Sequence, residues 1–151
     1  WDYNAAEPFD FTAALVDDAA ANPEPDPDAI VIRTIVDQMS FDTDSFTVSA
    51  GETVKIWFEN PDYTPHNLII GEPGSAEEIA AAAEGLGPIG FAVGFLPDND
   101  KVIAATELLY YREYQMIEFT APTETGDYDF LCTFPNHWMT MRGVMRVVGQ
   151  E

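Results

Sequence analysis

Cys132 is the only cysteine in this 151-residue chain, so no internal disulfide can brace the fold. A buried apolar core has to hold it instead. The same cysteine opens the stretch Cys132-Thr133-Phe134-Pro135-Asn136-His137-Trp138-Met139-Thr140-Met141-Arg142-Gly143. That stretch follows a β-like run and collects a thiol, an imidazole and a thioether (Cys132, His137, Met141) on one short loop. The second of the two histidines, His66, ends the turn Asn60-Pro61-Asp62-Tyr63-Thr64-Pro65, just ahead of the apolar run Leu68-Ile69-Ile70.

The material for one core is present: 46% of the residues are hydrophobic and 13% aromatic, and a single domain is the default at this length. No apolar stretch approaches the roughly 20 residues needed to cross a bilayer as a helix. The chain begins at Trp1, so it reads as a mature or trimmed form with any targeting segment outside it. Its 27 acidic residues face 6 basic ones, a net charge of −21. Nucleic acid and anionic membrane surfaces are thereby excluded as partners, since binding phosphate requires the opposite sign.

Residues 1–28 differ from the rest, with eight acidic residues, no Lys or Arg, and the run Asn22-Pro23-Glu24-Pro25-Asp26-Pro27-Asp28. Alternating prolines favour an extended spacer, so 1–28 is an acidic leader or linker and 29–151 the domain proper. Within the leader, Phe9 to Ala21 either forms a short helix laid on the domain or leads to a membrane anchor or a further domain.

From Ala29 the pattern is β-like. Strands are expected at Ile30–Val36, Phe46–Val48, Thr53–Phe58, from His66 or Asn67 to Ile70, Val102–Leu109, Tyr114–Thr120, Asp127–Cys132 and Gly143–Val148. Ser75 with Glu78 three residues on reads as a capping box opening an alanine-rich helix that runs to Glu84. Residues 87–97 read as a Gly- and Pro-rich connection, and Met39 and Met116 as core. The expected fold is all-β, a Greek-key sandwich of seven to eight strands with one short inserted helix.

Two imidazoles, one thiolate and one weak sulfur ligand make the donor set of a blue-copper site. The spacing Cys-x4-His-x3-Met lets three donors face one point between two strand ends, and His66 is the one imidazole left to supply the fourth. Met139 and Met145 lie near Met141, but the loop spacing favours Met141. A nucleophilic Cys132–His137 pair is disfavoured because the two lie five residues apart on one loop with no orienting Asp or Asn evident. Structural zinc would usually bring more cysteines.

The segments His66-Asn67 and Cys132 through His137 and Met141 to Gly143 resemble the copper loops of azurins and auracyanins, in the cupredoxin family. The resemblance covers about residues 29–149. It implies one copper ion held by His66, Cys132 and His137, with Met141 as a long axial ligand. It also implies that Asn67 ties the ligand loops together around Cys132 and Thr133, that Phe134 and Pro135 shape the site, and that the edge of His137 is the electron port. Two positions depart from the azurin pattern. Pro65 and Asn136 stand where azurin has glycine, which puts a carbonyl contact from residue 65 in question, and Trp138 makes the expected docking patch bulkier.

The function so implied is electron transfer outside the cytoplasm, in the periplasm or at the cell surface, between redox proteins such as a cytochrome or a terminal reductase or oxidase. The alternatives are a cupredoxin domain trimmed from a larger oxidoreductase, and a copper storage or delivery protein. The charge has two readings. It steers a basic partner to the domain, which still carries a net charge near −13 after residue 28, or it keeps the surface hydrated in a salty habitat. Arg142 and Arg146 make the docking face less acidic than the rest.

Overall fold

The computed structural model describes residues 22–150. Eight strands form two sheets: β1 (Ile30–Arg33), β2 (Ser45–Ser49), β3 (Thr53–Glu59), β4 (Ile69–Gly71), β5 (Val102–Ala105), β6 (Tyr114–Thr120), β7 (Gly126–Leu131) and β8 (Arg142–Val148). The first sheet has the order β1-β3-β6 and the second β2-β8-β7-β4-β5. β1 and β2 pair in parallel with β3 and β8, and the remaining pairings are antiparallel. Consecutive strands thus alternate between sheets at the N-terminus, which gives the crossovers of a Greek-key sandwich.

Side chains from both inner faces meet in one core that includes Ile32, Phe41, Ile56, Phe58, Ile70, Phe130 and Met145. Cys132 and Met141 belong to the same cluster, so the ligand loop is rooted in the core rather than laid over it. Phe41 packs edge-on against Phe58 and Phe130, at centroid distances of 6.0 and 5.5 Å, and so bridges the two sheets.

The expected Ile30–Val36 strand stops at Arg33. Thr34 bridges to Phe41, and the chain turns back through Asp37, whose φ is 61°. An aspartate tolerates that left-handed conformation, and the turn wins over the β-branched Ile35 and Val36. The expected Val102–Leu109 strand is shorter too. Regular pairing ends at Ala105, after which the Thr106 N–H donates to the Leu68 carbonyl and Leu109 forms an isolated two-bond bridge with His66.

Helix α1 (Ala76–Glu84) buries Ala76, Ile79, Ala80 and Ala83 against the outer side of the five-stranded sheet, with Ile69 and Leu131 beneath it. Its start is not a capping box: Ser75 makes no side-chain capping bond and its hydroxyl instead donates to the Glu72 carbonyl. The orphan N–H of Ala76 donates to Asp129 Oδ2 of β7 at 3.0 Å, so a carboxylate from a distant strand does that work. The connection after it contains a 3-10 helix at Gly87–Val93, ended by Gly94 and Phe95, both at positive φ.

Met39 and Met116 are not core residues. They are 50% and 39% exposed, because the turn after Thr34 carries the first outward and the second lies on the outer face of β6. Trp138 also departs from expectation, since it packs inward against the α1 cluster, with the Arg142 guanidinium 5.5 Å from its ring centre. The stretch Phe9 to Ala21, read as a short helix or as a lead to an anchor or further domain, lies outside the described residues. Of the leader, Asn22 donates to the Arg112 carbonyl at 3.0 Å and Asp26 lies 3.4 Å from Lys55 Nζ, so its last residues run along the domain.

Candidate metal centre

His66 and Cys132 reach the same point because their strands are neighbours. β4 pairs with β7 in the register Ile69↔Leu131, and His66 precedes β4 while Cys132 directly follows β7. His137 and Met141 are returned to that point by a folded loop. The His137 N–H donates to the Phe134 carbonyl at 3.0 Å, the Met141 N–H to the His137 carbonyl at 2.8 Å, and the Cys132 N–H to the Met141 carbonyl at 3.0 Å. Asn136 sits in this loop with φ at 69°, a conformation open to glycine and, at low cost, to asparagine. Gly143 closes it, where any side chain would collide with the Phe130 ring and the Asp44 carbonyl.

The donor atoms converge. Cys132 Sγ lies 3.8 Å from His66 Nδ1 and 3.7 Å from His137 Nδ1, and the ligand atoms of the three residues lie within 4.8 Å of one another. His66, Cys132 and Met141 are fully buried and His137 is 6% exposed. Met145 is equally buried but belongs to β8, and Met139 is 63% exposed, so among the three nearby methionines only Met141 is a buried residue of the loop.

Around these donors, Asn67 bonds three segments at once. Its amide nitrogen donates to Thr133 Oγ1 at 2.8 Å and to the Gly94 carbonyl at 2.9 Å, while its oxygen accepts from the Thr133 N–H at 2.8 Å. Thr133 Oγ1 in turn donates to the Phe95 carbonyl at 2.6 Å. The link to Gly94 and Phe95 had no signal in the sequence beyond a Gly-Phe pair in a loop. Phe134 walls the site, with its ring centre 4.9 Å from that of His137 and edge-on to Phe91 and Phe95.

Asp62, which sequence reasoning passed over, touches a histidine of the cluster directly. Its Oδ2 lies 2.8 Å from His66 Nε2, and its Oδ1 accepts from the Tyr63 N–H at 2.9 Å and the Asp37 N–H at 3.2 Å. The signal available was its place four residues before His66 in a tight turn. Asn60 anchors that turn, donating to the Thr64 and Leu109 carbonyls at 2.9 Å each.

Burial sets the protonation of the metal-free site. It pushes the Cys132 thiol up to about 12, against the backbone N–H groups of Asn67 and Phe134 that favour the thiolate. It pushes His137 down to about 4, helped by the neighbouring His66. His66 is also lowered by burial, although Asp62 opposes the shift. Burial raises the Asp62 carboxyl, but its hydrogen bonds to His66 and to the Asp37 and Tyr63 N–H groups outweigh this and hold it below the ordinary carboxylate range.

Both imidazoles are therefore neutral near pH 7 and present Nδ1 toward the sulfur. A soft thiolate with two imidazole nitrogens, sealed from solvent, suits copper better than the harder divalent ions. These residues fit a single type 1 copper site.

Comparison with known proteins agrees with that geometry. Residues 30–148 match the family of copper binding proteins of the plastocyanin/azurin type, and the chain belongs to that family. It is 37% identical over 123 residues to auracyanin-A of Chloroflexus aurantiacus, covering 80% of this chain and 75% of the relative. It is 30% identical over 119 residues to the azurin of Pseudomonas aeruginosa, covering 72% and 78%. Among solved structures, the dithionite-reduced auracyanin of Roseiflexus castenholzii superposes with a TM-score of 0.74 at 35% identity, covering 80% of this chain and 97% of that one. The fold is thus that of the cupredoxins.

Proposed function

We propose that this protein carries single electrons between larger redox proteins outside the cytoplasm, such as a cytochrome and a terminal reductase or oxidase, and transforms no substrate. One observation carries the reading: a thiol sulfur faces two imidazole Nδ1 atoms at 3.7 and 3.8 Å in a site closed to solvent. Copper bound there would supply the one-electron Cu(I)/Cu(II) couple. In this reading Cys132, His66 and His137 are the strong ligands, Met141 the axial one, and residues 29–151 the working unit with 1–28 as its leader.

Within that scheme the protein's own groups do three things. The Asn67–Thr133 bonds hold the two ligand-bearing segments in register, so the donor positions do not depend on the metal to assemble them. Phe134 and the core side chains exclude water and small ligands, which favours electron passage over catalysis. His137 is the port: its exposed edge opens on a shallow cleft lined by Asp37, Met39, Tyr63 and Thr64, with Met139 exposed on the same loop. Asp37 in that cleft, together with the acidity of the rest of the chain, steers a basic partner toward it.

Delivery or storage of copper would call for an open, methionine- or cysteine-rich site, whereas this one is buried and has one thiol. A feeder domain of a larger oxidoreductase would bring further copper ligands, and both histidines are already committed here.

The test is an absorption spectrum on addition of Cu(II). An intense thiolate-to-copper band near ~600 nm is expected, and it should vanish in Cys132→Ser. A colourless wild type, or a blue C132S, would overturn the assignment. Electron-exchange rates with a basic cytochrome should fall steeply with salt, while those with an acidic cytochrome should rise. A salt-independent rate with both would remove the steering role.

A further inference from the structure

The Asp62–His66 contact places a carboxylate one hydrogen bond from a proposed copper ligand, on the side away from the sulfur. Two backbone N–H groups reach its Oδ1, those of Tyr63 and Asp37 at 2.9 and 3.2 Å, and His66 Nε2 lies 2.8 Å from its Oδ2. Asp62 is only 5% exposed. Its turn is fixed at the base by Asn60, whose Oδ1 accepts from the Asp62 N–H at 3.0 Å and from the Thr34 hydroxyl at 2.8 Å. Two backbone donors converging on Oδ1 hold the carboxylate as an anion whose Oδ2 faces His66 Nε2.

Two consequences follow from elementary chemistry. An anion that accepts from Nε2 requires the proton of the neutral imidazole to sit there, which leaves the Nδ1 lone pair facing Cys132. A fixed negative charge in a poorly solvated setting also favours the more positive of two metal oxidation states, and it makes the imidazole a stronger donor.

We propose that Asp62 is a positioning residue that fixes the tautomer of His66 and biases the site toward Cu(II), lowering the reduction potential below what an uncharged acceptor at this position would give. Asp37 takes part through its backbone: its left-handed turn, at φ 61°, aims an N–H at the same carboxylate. The segment between β1 and β2 is thereby coupled to the metal centre.

The inference rests on the copper reading above, and its test separates the two. Wild type, Asp62→Asn and a distant exposed control, Glu84→Gln, are loaded with copper and compared by absorption and by redox titration. The expected result is a blue band kept in all three, no change of potential in E84Q, and a rise in D62N corresponding to at least a tenfold shift in the Cu(I)/Cu(II) affinity ratio, about 59 mV for one electron.

A blue D62N whose ratio changes by less than about threefold, some 28 mV by the same constant, or moves toward Cu(II), would overturn the inference and leave the copper reading intact. A colourless wild type would overturn the copper reading itself. If D62N fails to fold or bind copper, nitrogen-15 NMR of the metal-free wild type decides. A His66 proton on Nε2, slow to exchange, supports the role, and a proton on Nδ1 refutes it.

Discussion

Asn67 and Thr133 stand 66 positions apart and are joined by two hydrogen bonds of 2.8 Å, one in each direction. Asn67 is fully buried and its amide also holds the Gly94 carbonyl at 2.9 Å. Asn67→Ala leaves the buried Thr133 N–H and the half-buried Gly94 carbonyl without their partner. Each such group costs on the order of 1–3 kcal/mol, so urea denaturation of the metal-free protein should show a loss of about 3 kcal/mol. A loss below about 1 kcal/mol would mean that water replaces the amide.

Acid should weaken the metal-free protein through His137. Its folded value, about 4, lies below the ordinary 6.5, so between these values the unfolded chain holds the extra proton. The contribution is whole above pH 6.5, declines as pH falls, and is gone below about 4. The full difference is worth up to about 3 kcal/mol at 1.36 kcal/mol per unit. Because the many carboxylates also titrate in acid, the comparison is between wild type and His137→Gln. The stability of wild type relative to H137Q should fall by up to about 3 kcal/mol as pH goes from 7 to 4, and parallel curves would refute the assignment.

Metal uptake should release the Cys132 proton. With its thiol pushed up to about 12, Cys132 is protonated throughout the neutral range and must lose that proton to ligate. His66 and His137 are already neutral there and add nothing. Calorimetry of copper binding in buffers of different ionisation enthalpy should return one proton per ion at pH 7.5, with affinity rising about tenfold per pH unit. A count near zero would place a thiolate in the metal-free site.

Met141 and Met145 are equally buried, but only Met141 is proposed as a ligand. Methionine-to-leucine exchange in a core usually costs less than about 1.5 kcal/mol, so neither variant should unfold. Met141→Leu should change the reduction potential and Met145→Leu should leave it where it was. Equal shifts in both would indicate a packing effect rather than loss of a ligand.

Helix α1 depends on a residue outside its own segment. Asp129→Ala removes the acceptor for the Ala76 N–H and should cost about 1 kcal/mol of stability. Ser75→Ala should cost less at the helix start, because its hydroxyl is turned back to Glu72. The reverse order of thermal midpoints would restore the capping-box reading.

What could be read from the chain was whatever depends on residue type and spacing. Cys132, His137 and Met141 share one loop, and the alternating runs around Thr53–Phe58 and Tyr114–Thr120 became β3 and β6. What could not be read depends on distant partners. Asp129 sits in β7 beside Asp127, one carboxylate at the helix start and the other 3.0 Å from Arg146, and nothing local separates them. Met39 resembles a core methionine until the Asp37 turn carries it outward. Asp62 looks like one more acid in an acidic chain, and only the fold of residues 60–66 brings it to Nε2 of His66.

The parallel pairing of β2 with β8 sets Ser45–Ser49 beside residues 144–148. Nearly a hundred positions of chain lie between the partners, so the five-stranded sheet cannot close until β8 has formed. Residues 132–141 lie between β7 and β8, so both ends of the loop are fixed only once those strands pair. The donor set is therefore completed late in folding, after both of the strands that flank it have found their places.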